Sequence, residues 1–557
     1  MPPPFKQLST WQETAKQMRD HRDSTLAALE SPIPGLPVQL PLNVTHLAKE
    51  ILTEEEIKLT ESLPETLMAE LATGALTSTK VTKAFLRRAA LAQKLTNCVT
   101  ELLPERALKR AAELDTYFAQ NKKPIGSLHG LPISVKEHIG MKDLDLNAGF
   151  VSWVGNTAKA DAVILQILWS AGAVFYVRTT QPQSLMHLET SSNLYGETVN
   201  PYNTKLTSGG SSGGEGALLG FNGSCLGIGT DIGGSIRSPA ANNGVYGLRP
   251  TSFRLPNAGC LATMLYEEHV IPVIGPLSTS LEGIRLFTKT IIDAQPWLKQ
   301  ANLLPLPWKE GDLREKDASG KTTLRVGVMW DDEIVKPHPP VLRALKKVVD
   351  KLKEIEGVEL IDWKPYKHDL AWEIIASLYF ADGALEDKVA IAASGEPYRP
   401  LTNFIINDNP YVKELTITEL WAWTAKRDKY REEYMNLWNS TANDGKRPID
   451  VILCPVGPGA APPLNCAHYW AYTSQWNLLD YPALVFPVTQ VDPLIDLKEE
   501  RYQPRNEKDA YNYELYERER YRDAPVSLQL VGRRFDDEKI IQVLDFIQQH
   551  VKLPFQK

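Results

Sequence analysis

Cysteine is scarce in this chain, and no two cysteines stand close together in the sequence. Disulfide frameworks and structural zinc sites both use cysteines at short, regular spacings. The sequence therefore argues against both kinds of cross-link and favours a reducing compartment, which we predict to be the cytoplasm. The five cysteines are Cys98, Cys225, Cys260, Cys454 and Cys466.

Motifs for metal and nucleotide binding are also missing. The ten histidines include no HxxxH or HExxH pair, the pattern that places two zinc ligands on one helix face. Residues 227–232 lack the last glycine of the GxGxxG fingerprint, and GxxxxGK[ST] does not occur. We therefore predict that the protein uses neither a metal nor a cofactor.

Neither charge nor hydropathy indicates a nucleic acid or membrane partner. The chain has 61 Lys and Arg against 68 Asp and Glu, a net charge of −7, and no basic run that could neutralise phosphates. The most apolar stretch, residues 162–177, is interrupted by Gln166, Ser170 and Gly172. Since a membrane helix needs about 20 apolar residues, we predict no membrane anchor. The polar N-terminus lacks the apolar core of a secretory signal, so we also predict no secretion.

The composition is that of a globular chain, with 43% apolar and 23% charged residues among 557. Val81, Phe85 and Ala89 recur at helical spacing after a Thr77 or Ser78 cap. Short apolar, β-rich runs alternate with such helices at residues 173–177, 326–330, 358–363, 451–453, 484–486 and 526–531. This alternation predicts an α/β fold with a mixed β-sheet covered by helices on both faces.

The chain can be divided into a leader and one large domain. Residues 1–60 are predicted to form a helical and irregular leader, and residues 61–557 the main domain. Residues 371–440, rich in Trp and Tyr, are predicted to be a helical inserted subregion near the active-site mouth. Residues 493–523 have the composition of a solvated surface excursion.

The densest signal lies in residues 208–251, which hold two glycine-flanked serine sites. The first is the run GGSSGG at residues 209–214 and the second is Gly233-Gly234-Ser235. Because glycine leaves the backbone unshielded, amide N–H groups and serine hydroxyls can face one bound atom there. This arrangement suits acyl transfer.

This block, together with Lys136 in the run LHGLPISVK, resembles the amidase signature family, and most closely its fungal acetamidase and general amidase branch. The similarity extends through residues 181–203 and 524–532. It implies hydrolysis of small aliphatic or aromatic carboxylic amides, with Ser235 as nucleophile, Ser211 as proton relay and Lys136 as base. It also implies a cis peptide bond before Ser211 and a homodimer.

The role of Lys136 requires that its amine be uncharged. A lysine with the usual pKa of about 10.4 is almost entirely protonated at neutral pH, so it must lose its contact with water to act as a base. Lys136 ends the mostly apolar run 131–135, which is typical of a buried strand end. The sequence therefore predicts a buried lysine.

Further residues are assigned to binding and support. The turn Ile232-Gly233-Gly234-Ser235 is expected to aim N–H groups at the oxyanion of the tetrahedral intermediate. Ser211 is also expected to contact the substrate. Leu185 and Met186 are our candidates for the wall that holds the acyl group. The resemblance gives Asp231 and Arg237 the task of bracing the turn, and Ser212 and Thr230 are expected to donate supporting hydrogen bonds.

Other interpretations remain open. The pattern GxSxG occurs twice at residues 209–214 and could mark an α/β-hydrolase elbow, although the preceding segment does not read as a strand. A Gly/Ser linker is disfavoured by apolar residues within the block. A glutamine-dependent amidotransferase subunit of the same fold and a catalytically silent binding protein are the functional alternatives. His129 and His138, which flank Lys136, are predicted to be core or solvent residues.

Overall fold

The computed structural model describes residues 10–37, 39–311, 323–442, 446–553 and 555. The strands in these residues, in chain order, are β1 (Val99–Leu102), β2 (Pro132–Lys136), β3 (Val174–Thr179), β4 (Ser191–Ser192), β5 (Gly196–Glu197), β6 (Val199–Asn200), β7 (Asn203–Thr207), β8 (Leu226–Asp231), β9 (Tyr246–Arg249), β10 (Val273–Ser278), β11 (Leu324–Val328), β12 (Val358–Asp362), β13 (Val451–Pro455), β14 (Ala483–Gln490) and β15 (Pro525–Val531).

The α-helices within the same ranges account for most of the remaining ordered backbone. They are α1 (Trp11–Ala27), α2 (Ala48–Ile51), α3 (Glu54–Thr60), α4 (Pro64–Thr73), α5 (Ser78–Thr96), α6 (Pro104–Asn121), α7 (Val163–Ser170), α8 (Gly213–Gly220), α9 (Arg237–Asn242), α10 (Leu281–Asp293), α11 (Pro339–Lys353), α12 (His368–Tyr379), α13 (Leu385–Ser394), α14 (Pro400–Ile406), α15 (Ile417–Asn439), α16 (Ala471–Leu479), α17 (Glu507–Leu515) and α18 (Asp537–His550).

Eleven strands form one sheet in the order β1-β3-β2-β8-β10-β9-β14-β15-β13-β11-β12. Strand β2 is parallel to both β3 and β8, and β11 is parallel to both β12 and β13, whereas the other neighbours are antiparallel. The predicted α/β fold with a mixed sheet and packed helices is therefore confirmed.

Local signals place several elements correctly. Helix α5 begins after Thr77, whose side chain accepts a hydrogen bond from the Lys80 N–H, and Val81, Phe85 and Ala89 are completely buried. These residues belong to a core that also contains side chains of β2, β3 and α8. The helical period therefore reports the buried face of this helix.

The segment 493–523 differs in part from the sequence-based interpretation. Leu494 is 84% exposed, as expected of a surface excursion. Tyr516 and Tyr521, however, are buried in the core formed by α11, α18 and the strands between them. Their rings pack on His338, so the solvated interpretation is wrong for these two residues.

The sheet brings two chain segments together at one edge. In the parallel pair of β2 and β8, Ser134 lies opposite Gly227 and Val135 opposite Ile228. Because parallel neighbours end at the same edge of a sheet, Lys136 and Thr230 meet at the carboxyl ends of their strands.

Candidate active site

Lys136 is completely buried at the end of β2. Its amine lies 2.7 Å from the Ser211 hydroxyl oxygen and 3.0 Å from the Thr230 hydroxyl oxygen. Loss of water contact lowers the pKa of Lys136 to about 7, although the charge of Asp231 acts in the opposite direction. The predicted buried lysine is therefore present, and a large fraction of it is uncharged near neutral pH.

Ser211 lies in the loop that leads into α8, and the peptide bond between Gly210 and Ser211 is cis. The structure thus has the cis bond that the resemblance implied. The neighbouring Ser212 N–H donates to the Ser235 carbonyl at 3.1 Å. This bond joins the two glycine-flanked serine segments.

The Ser212 hydroxyl connects to the backbone of Thr230. It lies 3.4 Å from the Thr230 carbonyl oxygen, to which it donates, and 3.3 Å from the Thr230 nitrogen. Ser212 therefore contacts the end of the strand whose Thr230 hydroxyl lies beside Lys136.

Ser235 follows a tight turn between β8 and α9. Gly234 has φ +132°, a conformation that side-chain-bearing residues rarely adopt. Ser235 is 5% exposed and lines the same cavity as Ser211. In the described part of the chain the Ser235 hydroxyl has no protein partner within hydrogen-bonding distance, and such catalytic contacts often tighten only when substrate binds.

A buried ion pair holds the turn. The Asp231 carboxylate accepts two hydrogen bonds from the Arg237 guanidinium, at 2.9 and 3.0 Å, and others from the N–H groups of Gly234 and Ile236. Burial raises the pKa of Asp231, but the Arg237 charge and these contacts lower it to about 2. Asp231 and Arg237 thus lie where bracing of the loop was expected.

Helix α16 supports the ion pair from behind, which the sequence did not reveal. The Arg237 guanidinium donates to the Thr473 carbonyl at 2.7 Å and to the Asn477 side-chain oxygen at 2.5 Å. The Thr473 hydroxyl donates to the Gly233 carbonyl at 2.6 Å. These residues follow the turn by more than 230 positions, and no pattern in the sequence connects them to it.

The N–H groups of the turn are not equivalent. The Gly234 N–H donates to the Asp231 carboxylate at 2.9 Å, so it is already occupied. The N–H groups of Ile232, Gly233 and Ser235 have no protein acceptor within the described residues. The candidate oxyanion donors in this structure are therefore these three, and the sequence-based assignment of Gly234 to substrate binding stays a prediction.

The cavity beside the serines has an apolar wall. Leu185 and Met186 line it, as proposed from the sequence, together with Ile232. A second part of the wall comes from the segment between β9 and β10, which sequence reasoning missed because it has no recognisable motif. The residues from this segment include Cys260, Ala262, Thr263, Met264, Leu265 and Pro272.

Two buried residues near Lys136 depart from the sequence analysis. Glu215 of α8 was not singled out, yet it accepts hydrogen bonds from Ser134 at 2.5 Å and Thr179 at 2.7 Å, and its burial raises its pKa to about 7. His129 packs against Phe118, as predicted for a core residue. His138 is buried, as predicted for a core residue, but it also lines the cavity, which the sequence analysis did not expect.

The described residues contain no group of three or more His, Cys, Asp or Glu side chains arranged to hold a metal ion. Across the same ranges, none of the helices combines the length and apolarity needed to span a bilayer.

The burial of Lys136 gives a testable effect on stability. Lys136→Met is expected to raise the free energy of unfolding at and below pH 7, because it removes a buried ammonium group. Above pH 7 the unfolded wild type binds more protons than the folded one, so its stability rises with pH and the advantage of the variant shrinks. Urea unfolding of both proteins across this range measures the difference.

The control for this experiment is the exposed Lys205. Lys205→Met reports the effect of the same replacement without burial. A stability difference between wild type and Lys136→Met that stays constant with pH would contradict the lowered pKa.

Comparison with known proteins agrees with this geometry. The family model described as Amidase matches residues 80–541. An acetamidase of Emericella nidulans is 40% identical over 539 residues, which cover 96% of this chain and 97% of the relative. An acetamidase of Aspergillus oryzae is 37% identical over 544 residues, covering 97% and 98%.

A solved structure of an amide hydrolase also resembles this chain. A fatty acid amide hydrolase superposes with a TM-score of 0.91 at 34% identity, covering 98% of this chain and 96% of that one. The resemblance inferred from the sequence is therefore confirmed. The chain belongs to the amidase signature family and is accordingly an amidase, a hydrolase of linear amide C–N bonds.

Proposed function

We propose that this amidase cleaves small aliphatic or aromatic carboxylic amides through an acyl-enzyme on Ser235. The observation that carries the proposal is the buried amine of Lys136, 2.7 Å from the Ser211 hydroxyl, in a cavity that also contains Ser235. A base with a pKa near neutrality is what deprotonation of a serine requires.

The proposed reaction uses these residues in turn. Neutral Lys136 takes the proton of Ser211, and Ser211 takes that of Ser235 as its oxygen attacks the amide carbonyl. The free N–H groups of Ile232, Gly233 and Ser235 stabilise the oxyanion. The proton then passes back along the same route to the leaving nitrogen, the C–N bond breaks, and ammonia or an amine departs. Water attacks the ester on Ser235 by the same proton route and releases the carboxylate.

Two features support a small substrate with an apolar acyl group. Leu185 and Met186 present apolar side chains beside the serines, and the relatives named acetamidase match nearly the whole chain. The relative named fatty acid amide hydrolase makes longer acyl chains a useful comparison. We therefore propose that this wall determines which acyl chain lengths the enzyme accepts.

Ammonia release from a panel of amides tests the proposal. Acetamide, hexanamide and benzamide are expected to be hydrolysed by the purified chain alone, and a fluorophosphonate is expected to label Ser235. Turnover of glutamine only, or a requirement for a second subunit, would instead indicate an amidotransferase subunit. No turnover and no labelling would indicate a silent binding protein.

Gly233→Ala is expected to lower kcat by roughly 10²- to 10³-fold, the usual effect of losing an oxyanion donor. An added Cβ would lie 2.8 Å from the Tyr379 hydroxyl and 3.0 Å from the Trp470 ring, so the turn must move. Initial rates with acetamide measure the loss. Gly35→Ala, where a Cβ meets nothing within 4 Å, is the control; equal rates in both variants would refute the assignment.

We propose that helices in residues 371–440 cover the mouth of the cavity. The Tyr379 hydroxyl of α12 donates to the Ile232 carbonyl at 2.7 Å, and Asp387 of α13 accepts from the cavity residue Thr263 at 3.1 Å.

We also propose a cytoplasmic location, supported by the presence of all five cysteines as free thiols. We further propose a homodimer, supported by the family resemblance. Light scattering tests the dimer.

A further inference from the structure

His138 lies two residues after Lys136 and is buried. Its ring contacts two oxygen atoms on opposite sides. Nδ1 is 2.9 Å from the Leu261 carbonyl oxygen, and Nε2 is 2.8 Å from the Thr230 hydroxyl oxygen. The same Thr230 oxygen is 3.0 Å from the Lys136 amine. One hydroxyl thus connects the histidine to the proposed base.

The Leu261 contact determines the tautomer of His138. A carbonyl oxygen can only accept, so Nδ1 must carry the hydrogen. Burial, and next the charge of Lys136, lower the pKa of His138 to about 3, so the ring is neutral at physiological pH. Nε2 is therefore an acceptor, and the Thr230 hydroxyl donates to it.

A hydroxyl has one hydrogen, and Thr230 uses it on His138. Towards Lys136 the Thr230 oxygen can therefore only accept, and an amine N–H donates to it. The neutral amine has one lone pair, which Thr230 cannot engage while its hydrogen is held by Nε2. Of the two hydroxyls that contact the amine, only Ser211 is left to donate to that lone pair.

We propose that His138 is a positioning residue which, through Thr230, reserves the lone pair of Lys136 for the proton of Ser211. This inference rests on the proposed function, because it assigns a direction to the first proton transfer of that mechanism. His138 does not touch the reacting atoms; it determines which way the Thr230 hydroxyl points.

His138→Ala is expected to free the Thr230 hydroxyl, which can then donate to Lys136 and compete with Ser211. We expect kcat with acetamide to fall by roughly 10- to 100-fold, part of the 10²- to 10⁴-fold that general-base catalysis supplies. KM should change less than kcat, since His138 lines the cavity but bonds to Leu261 and Thr230 rather than to the proposed oxyanion donors.

The pH profile separates this role from a merely structural one. A hydroxyl that donates to the neutral amine favours the uncharged form, so the acid limb of kcat should move to lower pH in His138→Ala. The other groups whose charges act on the amine are Asp231, Glu215 and Cys260, and all three are retained in the variant. A loss of packing alone would lower the rate without moving this limb.

Four further variants sharpen the test. His138→Gln places a carboxamide oxygen near the position of Nε2 and is expected to restore most of kcat. Thr230→Ser keeps the hydroxyl and should resemble wild type, whereas Thr230→Val removes the hydroxyl that could compete with Ser211 and should lose less of kcat than His138→Ala. The double variant of His138→Ala with Thr230→Val should be faster than His138→Ala alone, because no Thr230 hydroxyl remains to donate to Lys136.

His129→Gln is the matched control, since His129 is a buried histidine that packs on Phe118 and accepts from the Ile125 N–H. The inference is overturned if His138→Ala keeps the wild-type kcat and acid limb, or if His138→Gln and His138→Ala are equally slow with an unmoved limb. Should His138→Ala fail to fold, His138→Leu, which fills a similar volume but cannot accept from Thr230, takes its place with the same expected fall in kcat and shift of the acid limb. If Ser235→Ala remains active, the proposed function itself fails.

Discussion

Ser235→Ala is expected to lose amide hydrolysis by roughly 10⁴-fold or more, as in other enzymes deprived of a serine nucleophile. Without the hydroxyl no acyl-enzyme can form, and neither Ser211 nor Lys136 can substitute for the missing oxygen. The fold should survive, because the Ser235 hydroxyl has no protein hydrogen bond within the described residues. Ammonia release from acetamide and circular dichroism measure the two properties.

Ser238→Ala provides the comparison for this variant. Ser238 lies three residues further along and borders a different cavity, so its loss should leave the rate close to wild type. Wild-type turnover by Ser235→Ala would refute the role of the nucleophile. A mass increase on Ser235, seen after acid quenching of a slow amide or ester substrate, would give direct support.

Lys136→Met is expected to lower kcat by roughly 10³- to 10⁴-fold, near the upper limit for general-base catalysis. Methionine fills a similar volume in the buried strand end but cannot accept a proton. Within the described residues the Ser211 hydroxyl has no hydrogen-bond partner other than Lys136, so its proton then has no base to accept it.

The wild-type pH profile is the companion measurement. Because burial lowers the pKa of Lys136 to about 7, kcat/KM should rise with pH through this value and level off above it, as the uncharged fraction increases. The residual rate of Lys136→Met should not show that limb. Lys142→Met, at an exposed lysine six residues along, should retain the full profile; its loss there would point to a general effect of charge.

Much of the site could be predicted from short stretches of sequence. The glycines around Ser211 and Ser235 signal close backbone approach, and the apolar run before Lys136 signals a strand that ends in the interior. Both are local properties, since they depend on neighbours within a few residues. The helical period at Val81, Phe85 and Ala89 is of the same kind.

Contacts between distant segments could not be predicted in this way. Thr473 and Asn477 reach the Asp231–Arg237 ion pair from α16, and the segment after β9 supplies part of the cavity wall. Burial of Tyr516 and Tyr521 within a charged stretch is a further case. Each depends on which helix packs on which strand, and composition does not encode that choice.

The sequence by itself determined the class of chemistry, because the residue types needed for amide hydrolysis stand in recognisable local patterns. The tertiary structure alone decided how they work together. It sets Lys136 2.7 Å from Ser211, occupies the Gly234 N–H with Asp231 and turns Thr230 towards His138. Hydrogen bonds act over about 3 Å, and only the folded chain brings residues that are far apart in sequence within that distance.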